Sequence, residues 1–226
     1  MQTVDSTSDP DIALGPPTFK QAKIEHYLQR AEEYLQMGRY RCSQATLAKV
    51  YDIDPSNSAA ASLQKRIEYF VLSLKKGETV AMDLQGNELK APRRRRRNEL
   101  VLLVDQDERV LTSLTSALRT YGFGALGAGG LDEAIEATAE FKPDMIVSEV
   151  NFENGSVGYD LYLWIRTNVA TQDLPFLFLA TRIDRDVLIA GKRLGVTDFI
   201  LKPLDEDLVV ASILNCFPKA KKNGRP

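Results

Sequence analysis

Histidine and cysteine are nearly absent from this sequence, and their scarcity excludes several kinds of site. His26 is the one histidine among 226 residues, so histidine ligand clusters are excluded. It falls on a polar predicted helix, where a lone histidine is most often a surface residue, and on that ground we exclude a serine–histidine–aspartate triad. Cys42 and Cys216 lie far apart, without the spacing of metal ligands or of a disulfide framework. We interpret both cysteines as reduced, buried thiols and expect no metal site built on them.

Long apolar runs are missing as well. No run approaches the roughly 18 residues that a membrane-spanning helix needs, and residues 1–17 lack the apolar core of a secretory signal. With 44% hydrophobic and 27% charged residues, the composition is typical of a protein that buries a core. We therefore expect a cytoplasmic protein without membrane attachment.

The charges are unevenly distributed along the chain. The net charge is −2, but residues 99–217 carry 9 basic and 19 acidic residues, whereas Arg93–Arg97 are five consecutive cations. This difference predicts two domains joined at the arginine run. We predict a disordered arm at 1–18, a helical domain at 19–76, a linker at 77–98, a second domain at 99–217 and a basic tail at 218–226.

Apolar residues in the first half recur every three or four positions, which is typical of the buried face of α-helices. One such stripe runs from Ile24 to Leu35 and is interrupted by Gly38. A second helix is predicted at Tyr40–Tyr51. After a turn at 54–57, in which Ser56 or Asn57 serves as the cap, a third helix is predicted to reach Lys75.

Within 24–57, several residues stand in the order and spacing of a tetratricopeptide repeat, and the segment resembles one copy of it. Ser43 departs mildly from that pattern, since a small alanine is usual there, and a generic helical hairpin is the alternative. The matching residues are Tyr27, Ala31, Tyr34, Gly38, Tyr40, Leu47, Val50, Ile53, Asp54 and Pro55.

A single repeat of this kind cannot bury its own apolar face, and about three stacked repeats are usually needed for stability. The exposed face must therefore meet the second domain, a second protomer or a partner protein. Our candidate interaction residues are Tyr27, Tyr34, Tyr40, Phe70 and Val71.

From Glu99 onward, short apolar runs alternate with helical patterns. This rhythm predicts an α/β fold, a flavodoxin-like, doubly wound sheet of five parallel strands. The predicted strands are Leu100–Val104, Gly122–Leu126, Met145–Val150, Phe176–Leu179 and Asp198–Leu201. A helix carrying Val110, Leu111, Leu114 and Leu118 follows the first strand, and the other predicted helices are Leu131–Glu140, Gly158–Asn168, Arg185–Leu194 and Asp205–Cys216.

Functional side chains in such sheets gather at the carboxyl ends of the strands. Asp105, Glu149, Ala180 and Lys202 lie at or just beyond those ends. They fall within four blocks, 101–105, 143–149, 175–180 and 195–203, whose order and spacing resemble the response-regulator receiver domain.

The resemblance implies a site that departs from the family's pattern. An active receiver binds a divalent cation through two acidic residues after the first strand, the acceptor aspartate and a backbone carbonyl. Here Asp105 keeps one acid, Gln106 replaces the other, and Asp107 substitutes only if the loop shifts. Glu149 stands at the acceptor position and Ala180 replaces the usual hydroxyl. The retained positions are the carbonyl of Asn151, the aromatic Phe199, and the Lys202-Pro203 step, which is commonly cis in the family.

Three interpretations of this site remain open. Glu149 and Lys202 form a fixed ion pair, or Glu149 is a relic in a structural scaffold, or residual phosphorylation persists. Opposite charge should keep Glu149 ionised beside Lys202 unless desolvation outweighs it.

Our main functional hypothesis is a signal-transduction adaptor, not an enzyme, with a receiver that is not phosphorylated. We expect no cofactor, with weak Mg²⁺ binding as an alternative. Protein partners would dock on the helical repeat or on the face formed by Arg185–Leu194, Asp198–Leu201 and Asp205–Cys216, and a homodimer is one alternative.

Two other functions are kept as alternatives. The first is a two-component response regulator that accepts phosphate from a histidine kinase. The second is a nucleic-acid-associated regulator that uses Arg93–Arg97, but the net charge of −10 over residues 99–217 argues against broad phosphate contact.

Overall fold

The computed structural model describes residues 19–77, 99–152, 155 and 157–217. The predicted arm at 1–18, most of the predicted linker with its arginine run, and the basic tail at 218–226 lie outside the described residues. Within the described part of the chain, no helix combines the length and the apolar character needed to cross a membrane.

Residues 19–77, which we call the helical unit, form three α-helices: α1 (Phe19–Gln36), α2 (Tyr40–Tyr51) and α3 (Ser58–Lys76). Gly38 turns the chain between the first two helices with φ of +75°, a conformation that favours glycine. Asn57 is the cap of α3, because its side chain accepts a hydrogen bond from the backbone N–H of Ala60.

Residues 99–217, the sheet unit, form a parallel five-stranded sheet in the order β2-β1-β3-β4-β5, which confirms the predicted fold class. Every residue of β1, which lies between β2 and β3, is buried, as its continuous apolar run indicated. The strands are β1 (Leu100–Val104), β2 (Gly124–Ala128), β3 (Met145–Glu149), β4 (Phe176–Ala180) and β5 (Asp198–Leu201), and the helices are α4 (Glu108–Thr120), α5 (Leu131–Phe141), α6 (Val157–Thr167), α7 (Arg185–Leu194) and α8 (Glu206–Cys216).

The predicted start of β2 is wrong by two residues. Gly122 has φ of +86°, and the backbone N–H of Phe123 still donates to Leu118, so these residues end α4 instead of opening a strand. The strand therefore begins at Gly124. Burial of the two cysteines was also overestimated, since Cys42 and Cys216 are free thiols that are only half-buried.

The helical unit packs on the sheet unit, which is one of the three alternatives that the sequence left open. Tyr40 and Phe70 are each 2% exposed and belong to the same apolar cluster as Leu100 and Leu126 of the sheet. Tyr40 and Phe70, two of the candidate interaction residues, therefore lie in the contact with the second domain. Tyr27, Tyr34 and Val71 are half-buried.

The two units contact each other at the edge strand β2. The hydroxyl of Tyr40 accepts a hydrogen bond from Arg119 at 2.7 Å. The backbone N–H of Gly127 donates to the carbonyl of Gly38 at 3.3 Å. A Cβ on Gly127 would lie 2.0 Å from the carbonyl oxygen of Met37, so glycine alone permits this approach.

Candidate functional site

Three charged residues from three strands meet at the carboxyl edge of the sheet. Asp105 follows β1, Glu149 ends β3 and Lys202 follows β5. The ammonium group of Lys202 lies 2.7 Å from Oδ2 of Asp105 and 3.1 Å from Oε1 of Glu149. Asp105 is 1% exposed and Glu149 6% exposed, so this cluster is largely removed from water.

The expected pair of Glu149 and Lys202 is therefore part of a triad in which Asp105 makes the shorter contact with the lysine. The sequence analysis named Asp105 only as a candidate cation ligand. The strand order explains the meeting, because β1 lies beside β3 and the chain after β5 reaches back across the sheet edge. The position of both acids at the ends of neighbouring strands was the signal that could have predicted it.

The protonation of the triad is set by burial and by the second carboxylate. Burial, together with a hydrogen bond to Asp105 and its negative charge, raises the pKa of Glu149 to about 7, although Lys202 opposes the shift. Burial alone would lower the pKa of Lys202, but its contacts with Asp105 and Glu149 outweigh burial and raise it. Desolvation thus wins at Glu149, and below neutral pH this side chain holds a proton beside a charged lysine.

The neighbouring acid does not complete a cation site. The side chain of Asp107 caps α4 by accepting the backbone N–H of Arg109 at 2.9 Å, and hydrogen bonds from Arg109 lower its pKa. Gln106 and Asn151 are exposed.

The oxygens of Asp105 already have partners. Oδ1 accepts the backbone N–H of Asp107 at 2.8 Å, and Oδ2 accepts Lys202. Among the described residues, no group of three or more histidine, cysteine, aspartate or glutamate side chains could hold a metal ion. The positive charge that faces Asp105 and Glu149 at this edge comes from Lys202.

The remaining candidate positions surround the triad. Ala180 ends β4 and is 2% exposed. An alanine side chain has no hydroxyl that could contact a phosphate. Phe199 is turned inward, where it stacks on Phe178 with ring centroids 5.5 Å apart. It also lies against Gly191 of α7, whose added Cβ would be 2.4 Å from Cζ of Phe199. The peptide bond between Lys202 and Pro203 is cis.

The ion pairs that join the two units were not among the predicted site residues. Arg30 bonds to Glu108 with both terminal nitrogens, and Arg39 bonds to Glu133 with contacts of 2.7 to 3.0 Å. The partners are separated by 78 and 94 positions in the chain. No local spacing pattern connects residues so far apart, so the sequence carried no signal for them.

Comparison with known proteins finds relatives of the sheet unit. "Sensory transduction protein BceR" of Halalkalibacterium halodurans is 24% identical over 113 residues, which are 50% of this chain and 47% of the relative. "Response regulator protein GraR" of Staphylococcus epidermidis is also 24% identical over 113 residues, 50% of this chain and 49% of the relative. The chain thus spans about half the length of these curated relatives.

Solved structures agree with the fold. The chemotaxis protein CheY4 of Vibrio cholerae, crystallised at low pH, has a TM-score of 0.50 at 22% identity, covering 53% of this chain and 98% of its own. The family model described as "Response regulator receiver domain" matches residues 101–214, which is half of the chain. This chain belongs to the response regulator receiver domain family.

Proposed function

We propose that this protein is a signalling adaptor whose receiver domain acts through protein–protein contact without forming an aspartyl phosphate. The observation that carries this proposal is the closed triad. The longer side chain of Glu149 stands at the acceptor position, and Lys202, which would pair with a phosphoryl group, already contacts two carboxyl groups. Ala180 has no hydroxyl to contact a phosphate.

The surface formed by α7, β5 and α8 is our candidate docking surface for a protein partner. Three leucines on it, Leu194, Leu201 and Leu208, are 54–56% exposed. Leu188 and Ile189 of α7 add further exposed apolar area. Exposed apolar area often marks an interaction site. A second copy of this chain is one candidate occupant.

The part of the helical unit that stays open to solvent is a second candidate contact. The likeness to a tetratricopeptide repeat supports it, as do the half-buried Tyr27, Tyr34 and Val71, which keep part of their surface open to solvent. Aromatic side chains supply much of the binding energy when an interface buries them.

A conventional phosphorylated response regulator is the second candidate function. The names of the relatives BceR and GraR, a sensory transduction protein and a response regulator, favour it more directly than they favour an adaptor. In this alternative a histidine kinase is the partner, and a carboxyl group of the triad receives the phosphoryl group.

Incubation of the full chain with acetyl phosphate and Mg²⁺, followed by intact-mass measurement, separates the two candidates. We expect no species heavier by one phosphoryl group. The matched control is a triple variant, Gln106→Asp, Glu149→Asp and Ala180→Thr, which rebuilds the family's acidic and hydroxyl positions and should gain the group. A native chain that gains it as readily as the control would establish the second candidate.

A further inference from the structure

Among the described residues, the ion pairs between the two units all have the same polarity. In each of five pairs the cation lies on the helical unit and the glutamate on the sheet unit. The sheet unit thus has an acidic surface where it contacts the helical unit, and the helical unit has a basic surface that is complementary to it in charge. The pairs are Arg30 with Glu108, Arg39 with both Glu133 and Glu108, Arg41 with Glu136, and Lys75 with Glu140.

The first of these pairs reaches the loop that carries Asp105. Arg30 donates to Glu108 at 2.8 Å from one nitrogen and makes a second contact with the other. Glu108 is the first residue of α4 and follows Asp107, whose backbone N–H donates to Asp105 at 2.8 Å. The helical unit therefore fixes the start of α4. The hydrogen bond from Asp107 to Asp105 connects that start to the triad.

The second pair fixes the neighbouring loop. Glu133, which Arg39 holds, also accepts the backbone N–H of Gly129 at 2.8 Å. The preceding residue, Ala128, accepts the backbone N–H of Asp105 at 3.1 Å. Arg39 and Glu133 are only 16% and 19% exposed, so this pair is better shielded from solvent screening than a surface pair.

We propose that the helical unit is a resident regulatory ligand of the receiver domain. When docked, it fixes the two loops that hold Asp105, and its release loosens the contact of Asp105 with Lys202 and Glu149. Arg30 and Arg39 are positioning residues in this device, and by linkage a change at the triad alters docking in return. The inference goes beyond the proposed function and holds whether or not Glu149 is modified.

Gly127 offers a variant that separates the units without changing any charge. In Gly127→Ala the new Cβ would lie 2.0 Å from the backbone of Met37, and the three nearest atoms all belong to the helical unit. The matched control is Gly130→Ala, because a Cβ at Gly130 meets nothing within 4 Å and its φ of −177° suits any residue. Arg30→Gln is a second, independent route to a looser interface.

Amide hydrogen exchange of the full-length protein, followed by NMR, is the test. We expect Gly127→Ala and Arg30→Gln to speed exchange in α1 to α3, and to speed it at least about fivefold at the Asp107 amide that donates to Asp105. Gly130→Ala should leave both regions at the native rates. Amides of β4 serve as the internal reference for global unfolding.

Three outcomes would overturn the proposal. In the first, the helical unit exchanges faster in Gly127→Ala or Arg30→Gln while the Asp107 amide keeps its native rate. In the second, neither variant changes the helical unit. In the third, β4 accelerates as much as Asp107, which would mean that the variants act by general destabilisation. A further check is Lys202→Met, which should speed exchange in α1 if the linkage is reciprocal.

Discussion

At the scale of single residues, the triad places one cation between two buried carboxyl groups. If both acids were ionised, the cluster would carry a net negative charge away from water, which is costly. A proton on Glu149 removes that excess, in agreement with the raised pKa of this residue. The cluster therefore reaches neutrality through a proton and a lysine.

Replacing the lysine should destabilise the protein in a pH-dependent way. Lys202→Met removes the cation that opposes the raised pKa of Glu149, and at pH 8, above the native pKa of about 7, we expect a loss of about 3 kcal/mol in the free energy of unfolding. At pH 5 the loss should be smaller, because Glu149 holds a proton. Urea unfolding at the two pH values measures the difference.

The control for this prediction is Lys192→Met. Lys192 pairs with Asp198 at 3.0 Å, but both side chains are about half exposed, so we expect a change below about 1 kcal/mol. Equal losses in the Lys202 and Lys192 variants would show that the triad contributes no more than a surface ion pair.

The raised pKa of Glu149 leads to a second prediction, on how the free energy of unfolding depends on pH. The pKa of this group rises from an ordinary 4.5 to about 7 on folding, so between these values the folded state holds a proton that the unfolded state has lost. The contribution of Glu149 to the free energy of unfolding is thus fully present below pH 4.5 and is lost as the pH rises through 7. The slope is up to about 1.4 kcal/mol per pH unit.

Glu149→Gln removes this titration, so its free energy of unfolding should fall less than that of the native protein between pH 5 and 8. Urea unfolding across this range checks it. Glu68→Gln, on the exposed face of α3, controls for the loss of one carboxylate. Parallel curves for native protein and Glu149→Gln would contradict the assigned proton.

At the scale of secondary-structure elements, the packing of α7 on β5 holds Phe199 inside. Gly191 leaves the space that the ring of Phe199 fills, and Phe178 of β4 stacks on the other part of the ring. Phe199 is thus partly buried and packs between α7 and β4.

The effect of Gly191→Ala on the free energy of unfolding should have opposite signs with phenylalanine and with leucine at position 199. In the native protein the new Cβ meets the ring at 2.4 Å, and we expect destabilisation of about 1–2 kcal/mol despite the better helix propensity of alanine. In a Phe199→Leu background the distal ring atoms are gone, and the same change should stabilise by up to about 1 kcal/mol. Urea unfolding of the four proteins gives the answer; one common sign in both backgrounds would contradict the proposed contact.

At the scale of the whole molecule, the helical unit and the sheet unit share one apolar cluster. The sheet unit covers one apolar face of the helical unit, and Tyr40, Phe70 and Leu74 belong to the shared cluster. The helical unit lies over the β2 edge, while the α7–β5–α8 surface at the opposite edge keeps its exposed leucines. Docking of the helical unit and binding of a partner can therefore take place together.

A fragment of residues 19–77 should be less stable than the same residues in the full chain. Cutting the chain exposes Tyr40 and Phe70, which are nearly inaccessible in the intact protein. We expect a lower melting temperature or self-association, because the exposed apolar area needs cover. Thermal melting and light scattering of fragment and full chain decide it, and a monomeric fragment that melts no lower than the full chain would contradict the need for that cover.

The sequence alone determined the parts of this protein that depend on neighbouring residues. The bounds of β1, β5, α2 and α7 were predicted to the residue, because a buried parallel strand is a continuous apolar run and a helix has a periodic stripe with marked ends. The family followed from four short blocks whose order and spacing are also properties of the chain itself.

The tertiary structure decided which of those parts meet. Asp105 contacts Lys202 across 97 positions, and Arg39 contacts Glu133 across 94, and in neither case does local spacing mark the partner. The need for glycine at position 127 could not be predicted for the same reason, because it arises from the close approach of the Met37 backbone. Charge and burial at a site are set by such distant contacts, so the proton on Glu149 could be assigned only once the chain was folded.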